Sequence, residues 1–167
     1  GYEGLLFYRV RRKADGEMDP DFILNRDDFK DAGILVADRN FGCGSSRENA
    51  AWTLVDNGIR SVIAPSFGDI HYNNEMNNGM VPVMLDAGIC ADLRRQLHAN
   101  PGAEITVDLE RNVVVAPDGK EHAFTIPAFN RERLLKGLDD VSFTLEQESD
   151  IAAYEAKRRD EADWLFE

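Results

Sequence analysis

The chain has 167 residues with a formal net charge of −12, and 43% of its residues are hydrophobic. That length and composition predict one domain with a sizeable core and argue against disorder along the whole chain. The acidic balance argues against nucleic-acid binding, which depends on Lys and Arg, and the lack of a long apolar run or a basic, apolar leader predicts a cytoplasmic protein without a membrane span.

An apolar run at 34–37 predicts a buried strand that leads into a turn rich in glycine and asparagine. Residues 45–48, Ser-Ser-Arg-Glu, have the form of a capping box, which predicts that a helix begins there. Apolar residues then recur at helical spacing until Asn57 and Gly58, a pair typical of a helix end.

The next unit repeats this strand–helix plan. Residues 61–64 predict a second strand, and residues 65–66, Pro-Ser, predict the start of a second helix. A third apolar strand follows at 80–85, where Pro82 favours an edge position or a bulge because proline has no N–H for a ladder hydrogen bond. Asp86 is the predicted cap of a third helix.

The second half of the chain changes from strand–helix units to alternation of apolar and polar residues. The predicted elements there are an antiparallel meander at 105–109, 113–115 and 124–126, a helix at 130–135, a returning strand at 141–145 and a charged helix at 150–165. Strand–helix units followed by a meander favour a layered α/β domain, with a mixed sheet and flanking helices, over a doubly wound fold. No linker divides the chain, so residues 1–167 are predicted to form one domain.

The most informative stretch is the turn at 40–48. Gly42 and Gly44 allow the backbone to turn sharply and expose amide N–H groups near a helix start, where anions are favoured. Arg47 adds a planar group suited to a carboxylate, and a serine hydroxyl in that field ionises more easily than in water. The alternative is that this stretch is a glycine-rich turn with a capping serine and has a structural role alone.

The same stretch resembles a known family. The residues that carry the resemblance are FGCGSSRE at 41–48, APSFGDI at 64–70 and YNN at 72–74, with further matches at 21–25, 78–82 and 137–141. They are similar to small subunits of 3-isopropylmalate dehydratase, the isopropylmalate isomerase of leucine biosynthesis. The first string is typical of the swivelling domain of the aconitase superfamily, so the resemblance implies that domain's layered β/β/α fold.

The resemblance also implies a division of labour between two subunits. A large subunit would hold a 4Fe-4S cluster, and this chain would close over it without a cofactor or metal of its own. Its two cysteines, Cys43 and Cys90, are too few for such a cluster. The resemblance implies that Ser45, in preference to Ser46, is the base and that Arg47 binds a substrate carboxylate. The further substrate contacts are Cys43, Gly44 and Ser46.

Three positions depart from the family pattern. Asn49 replaces the usual histidine, His71 an aromatic residue, and Glu75 a cysteine, which makes the three candidates for substrate specificity. His71 and Glu75 are four residues apart and are predicted to form a partly exposed pair on one helix face, since two ligands alone do not make a metal site. The family's upstream Asp-Thr-Asp segment is absent, so we expect that a segment is missing before Gly1.

Three functions remain open on this basis. The first is a hydro-lyase subunit that, with the large subunit, moves the hydroxyl group of isopropylmalate to the neighbouring carbon. The second keeps the chemistry on a small dicarboxylate but changes the substrate, to methylmalate with citraconate, to homocitrate with homoaconitate, or to dimethylmalate. The third is a diverged, non-catalytic swivelling domain, against which the intact Ser45 and Arg47 argue.

Overall fold

A parallel sheet is the first layer of the structure, a computed structural model that describes residues 1–165. Its strands β1 (Ile34–Val36), β2 (Ser61–Ala64) and β3 (Val81–Met84) are hydrogen-bonded in that order. All four residues of the central strand β2 are buried, as expected when both faces of a parallel sheet are covered. Pro82 lies on the edge strand β3, which confirms its predicted position.

Three helices follow these strands: α1 (Asn49–Asp56), α2 (Asp69–Asn77) and α3 (Ala87–Ala99). Neighbouring residues of β2 point to opposite faces of the sheet, so Val62 and Ile63 belong to different apolar clusters. Val62 packs with Leu54 of α1, whereas Ile63 packs with Leu93 of α3. The sheet is therefore covered on both faces.

The predicted antiparallel meander is present as a separate sheet, but its third strand lies at 121–123 and not at the predicted 124–126. Its strands β4 (Thr106–Asp108), β5 (Val113–Val115) and β6 (Glu121–Ala123) are paired in chain order. Val114 is fully buried in the cluster that contains Ile63. The parallel and antiparallel strands are thus joined through packed side chains and not through the single hydrogen-bonded mixed sheet that the sequence suggested.

The C-terminal part is helical: α4 (Ala128–Lys136), α5 (Asp140–Leu145) and α6 (Glu148–Glu161). The strand predicted at 141–145 is wrong, because the Asp139 carboxylate accepts a hydrogen bond from the Ser142 N–H at 2.7 Å and starts a helix there. The helix predicted at 150–165 is α6, which ends at Glu161. None of its residues is buried: Tyr154 is 64% exposed, and Ala162, which is buried, follows the end of the helix.

The start of α2 also differs from its prediction. The helix begins at Asp69, and Ser66 does not cap it. Instead the Ser66 hydroxyl and carbonyl are hydrogen-bonded to the backbone N–H groups of Asn40 and Phe41, so this serine fastens two loops together. Within residues 1–165, no helix is long and apolar enough to cross a bilayer.

Candidate active site

The loop at 40–48 connects β1 to α1 and lies at the carboxyl end of the parallel sheet. Two backbone hydrogen bonds hold it against the segment after β2: the Phe41 N–H donates to the Ser66 carbonyl at 3.0 Å, and the Gly68 N–H donates to the Phe41 carbonyl at 2.8 Å. In open α/β sheets, the crevice beyond the carboxyl ends of the strands is the usual ligand site. The fold thus presents this loop where a site is expected.

The loop packs directly on the first turns of α2. Gly42 has a φ of +74°, and a Cβ atom on it would lie 2.1 Å from Cδ2 of His71. A Cβ atom on Gly68 would lie 2.9 Å from the Cα atom of Cys43. Neither position has room for a side chain. The two glycines therefore allow the loop backbone to lie in direct contact with the start of α2, which fixes the distance between them.

Ser45 is half-buried in this loop, and its hydroxyl does not cap α1. The oxygen accepts a hydrogen bond from the Arg47 N–H at 3.2 Å, and the hydroxyl donates to the Arg47 carbonyl at 3.4 Å, so both bonds close a local turn two residues long. The predicted capping box is wrong, because α1 begins only at Asn49, with Glu48 in the cap position and no side-chain cap bond. The serine is therefore held by a loop amide and is free of any role in the helix.

Arg47 is exposed, and within residues 1–165 its guanidinium group has no ion-pair or hydrogen-bond partner. The backbone N–H groups of Gly44 and Ser46 likewise donate to no acceptor in that range. A guanidinium group and unpaired backbone N–H groups on one short loop can bind a carboxylate through both charge and hydrogen bonds. Cys43 and Ser46 are also exposed on the loop, so the predicted substrate contacts lie side by side.

Two of the three specificity candidates lie beneath the loop and not on it. His71 is 3% exposed and Glu75 is 0% exposed, so the prediction of a partly exposed pair is wrong. The Nε2 atom of His71 lies 2.9 Å from Oε1 of Glu75. Burial raises the pKa of the Glu75 carboxyl, and the contact with His71 opposes that rise. Asn49 stands apart from this pair as the first residue of α1.

The two cysteines lie in different environments. Cys43 is a free, exposed thiol on the loop, whereas Cys90 is a free thiol buried in α3, where burial raises its pKa. In the described range 1–165, no three His, Cys, Asp or Glu side chains are placed to hold a metal ion. A 4Fe-4S cluster on this chain would therefore need ligands that its two thiols do not supply.

Sequence reasoning missed the anchors of the loop and a cavity beside it. Asn40 has a φ of +59° and, besides its bond to Ser66, accepts a hydrogen bond from that hydroxyl through Oδ1 at 3.2 Å. A cavity of about 570 Å³ opens next to these anchors, lined by Arg39, Ser66 and Asp86 among others. The sequence signal that could have found this cavity is the position of its lining residues. Arg39, Ser66 and Asp86 each follow one strand of the parallel sheet.

Three family models match the chain in succession. The aconitase C-terminal domain model matches residues 5–88, and the model described as LeuD_N matches residues 91–128. The model for the C-terminal domain of 3-isopropylmalate dehydratase small subunits matches residues 140–167. The first model includes the whole loop at 40–48, its anchor Ser66 and the helix α2 on which the loop packs.

Individual relatives agree with the models. The chain is 50% identical to the 3-isopropylmalate dehydratase small subunit of Marinobacter nauticus, over 99% of this chain and 81% of that protein. It is 47% identical to the protein of the same name from Granulibacter bethesdensis, over 97% and 78%. The solved structure of a 3-isopropylmalate dehydratase from Methanocaldococcus jannaschii superposes with a TM-score of 0.56 at 29% identity, over 84% of this chain and 77% of that one.

Proposed function

The chain belongs to the family of 3-isopropylmalate dehydratase small subunits, with the swivelling-domain fold of the aconitase superfamily, and on that premise we propose that it interconverts 2- and 3-isopropylmalate by dehydration and rehydration in leucine biosynthesis. The observation that carries the proposal is the 50% sequence identity to a small subunit of this family over 99% of the chain. The loop that carries Ser45 and Arg47 at the carboxyl end of the parallel sheet supports it. We place the enzyme in the cytoplasm.

The chain acts with a large subunit, which its family name as a small subunit implies. That partner would carry a 4Fe-4S cluster, whose iron supplies Lewis-acid chemistry at the hydroxyl group that leaves. The residues of this chain contribute their own part of the site: they bind the substrate, orient it and exchange a carbon-bound proton. One domain over residues 1–167 provides them.

Ser45 is the base in this proposal. Its hydroxyl oxygen accepts a hydrogen bond from the Arg47 N–H at 3.2 Å, and such a bond favours the ionised form of an oxygen. The longer bond that the hydroxyl donates to the Arg47 carbonyl, at 3.4 Å, favours the neutral form and is given up when the proton leaves. Arg47 grips one carboxylate of the substrate, because its guanidinium group is exposed and has no acidic partner in residues 1–165. The amides of Gly44 and Ser46 and the exposed Cys43 line the same position.

Another small hydroxy-diacid is the alternative substrate, and the substitutions at Asn49, His71 and Glu75 were the reason to consider it. His71 and Glu75 are buried too deeply to contact a substrate, so any influence on substrate choice acts through the loop above them. The identity to proteins named for isopropylmalate favours that substrate over methylmalate, homocitrate and dimethylmalate.

The experiment is a substrate panel on the reconstituted pair. The chain is mixed with a cluster-loaded large subunit of the same family, and formation of the unsaturated diacid is followed by its ultraviolet absorbance. The highest kcat/KM is expected with isopropylmalate, and each subunit alone should be inactive. A higher kcat/KM with another hydroxy-diacid would move the proposal to that substrate, and no activity with any diacid would contradict the hydro-lyase function.

A further inference from the structure

A pair of ionisable side chains is buried where the active-site loop meets α2. His71 and Glu75 lie one helical turn apart, with Nε2 and Oε1 at 2.9 Å. Neither side chain nitrogen of His71 and neither carboxylate oxygen of Glu75 has a well-aligned hydrogen-bond partner among the described residues. Each of the two groups therefore depends on the other.

Burial of such a pair is costly. Removing two ionisable groups from water carries a desolvation penalty that their mutual attraction offsets only in part, and well-packed apolar residues often give equal or greater stability. Buried polar atoms without aligned partners are also uncommon in folded proteins. Global stability alone does not explain why this pair is buried here, so the explanation is sought in the residues that contact it.

The imidazole ring of His71 is the surface on which the loop rests. A Cβ atom on Gly42 would overlap the ring, with Cδ2 at 2.1 Å and Cγ at 2.2 Å, so the Gly42 backbone already touches it. The ring of Phe41 stands edge-on to the imidazole, with the centroids 5.4 Å apart. Two consecutive loop residues are thus in contact with one buried side chain.

A single hydrogen bond continues from this contact to the proposed base. The Ser45 N–H donates to the Gly42 carbonyl at 3.1 Å, so the peptide unit that rests on His71 also holds the backbone of Ser45. The Glu75 carboxylate lies against the ring, with Oε1 2.9 Å from Nε2, and is therefore placed to orient it. The chain of contacts therefore runs from Glu75 through His71 and Gly42 to Ser45.

We propose that His71 is a positioning residue for the reaction, oriented by Glu75, and that it sets the place of the Ser45 hydroxyl by supporting the Gly42 peptide. The inference rests on the proposed function only in taking Ser45 as the base. A displacement of about 1 Å in a catalytic group lowers turnover on the order of 100-fold, so removal of the support affects kcat even where the fold is kept.

The first test removes the ring. His71→Ala should lower kcat of the reconstituted enzyme about 10- to 100-fold, with KM changed much less, at a temperature well below melting. Leu93→Ala is the matched control, because Leu93 is fully buried in the cluster around Ile63 and does not contact the loop. The control should lose thermal stability and keep its kcat; an equal fall in kcat for both variants, or an unchanged kcat for His71→Ala, would overturn the proposal.

The second test keeps the ring and changes its partner. Glu75→Gln retains a side-chain oxygen opposite Nε2, whereas Glu75→Leu retains the approximate volume without an acceptor. The Leu variant should lose kcat as His71→Ala does, and the Gln variant should recover most of that loss. Equal kcat values for the two variants would show that Glu75 does not orient the ring, and this comparison remains decisive if His71→Ala fails to fold.

A third measurement separates the proposal from the proposed function. In the isolated chain, NMR exchange of the Ser45 amide reports its hydrogen bond to Gly42 without any catalysis. His71→Ala should speed that exchange about tenfold, and Leu93→Ala should not speed it beyond its effect on the whole domain. If wild type is inactive with every diacid, the proposed function fails and the exchange rate still decides: an unchanged Ser45 amide would overturn the role of His71.

Discussion

Gly42 and Gly44 are two positions apart in the same loop, yet their surroundings differ. Gly42 has a left-handed φ and no space for a Cβ atom, whereas nothing lies within 4 Å of the Cβ position of Gly44. The fold therefore requires glycine at position 42, whereas a residue with a side chain fits at position 44. This difference concerns the path of the loop, since only Gly42 rests on His71.

We predict that Gly42→Ala destabilises the folded chain by about 2 kcal/mol or more, because a left-handed alanine and overlap with a buried ring both cost energy. Gly44→Ala, the matched control, should change the free energy of unfolding by about 0.5 kcal/mol or less. Urea denaturation of the isolated chain measures both values. Equal effects of the two substitutions would contradict the close contact between Gly42 and His71.

The position of the candidate residues in the fold could be predicted from sequence, but their bonding could not. The string at 41–48 indicated Ser45 and Arg47, and both lie on the loop at the carboxyl end of the sheet. The capping-box pattern misled, because a serine hydroxyl can satisfy an amide two residues on as readily as a helix start. The burial of His71 and Glu75 also escaped sequence reasoning, since it follows from the loop packing on α2 and not from their spacing.

At the level of elements, α5 shows why short segments are hard to assign. Residues 141–145 have the alternating apolar pattern of a strand, but Val141 and Leu145 are 67% and 55% exposed and have no sheet to join. Asp139 instead caps the segment as a helix through the Ser142 N–H. The long helix α3 and the strands β4 and β5 follow their sequence patterns, because their apolar residues pack in or against the shared core.

We predict that Asp139→Ala lowers the melting temperature at neutral pH. The Ser142 N–H holds the pKa of the Asp139 carboxyl below its usual value, so the stabilisation is present above the unfolded pKa and is lost as the pH falls through the folded pKa. Asp86→Ala is the control, since Asp86 stands at the N-cap of α3 without a side-chain cap bond. Melting curves across the acidic range measure both; a difference between wild type and Asp139→Ala that persists in strong acid would contradict the assignment.

At the level of the whole molecule, the proposed function puts the exposed loop at 40–48 at the interface with the large subunit. Catalytic groups divided between two chains must be brought together at their interface, so the loop at 40–48 or its rim should be covered in the complex. The chain contains a built-in reporter of this contact, because Cys43 is exposed on the loop and Cys90 is buried in the core.

We predict that a maleimide reagent labels Cys43 rapidly in the isolated chain and slowly after the large subunit is added. Cys90 should remain unlabelled in both states while the chain is folded, which makes it the internal control. Mass spectrometry after timed labelling measures the two sites separately. Labelling of Cys43 at the same rate with and without the large subunit would contradict an interface at this loop.

The turnover of the reconstituted enzyme with Ser45→Ala, compared with Ser46→Ala, tests the central claim most directly. Removal of the base should lower kcat for isopropylmalate by several orders of magnitude with little change in KM, because a base acts in the transition state and contributes little to ground-state binding. Ser46→Ala should keep a far larger share of the wild-type kcat. Near-normal turnover of Ser45→Ala, or a collapse in Ser46→Ala alone, would contradict the assignment of Ser45 as the base.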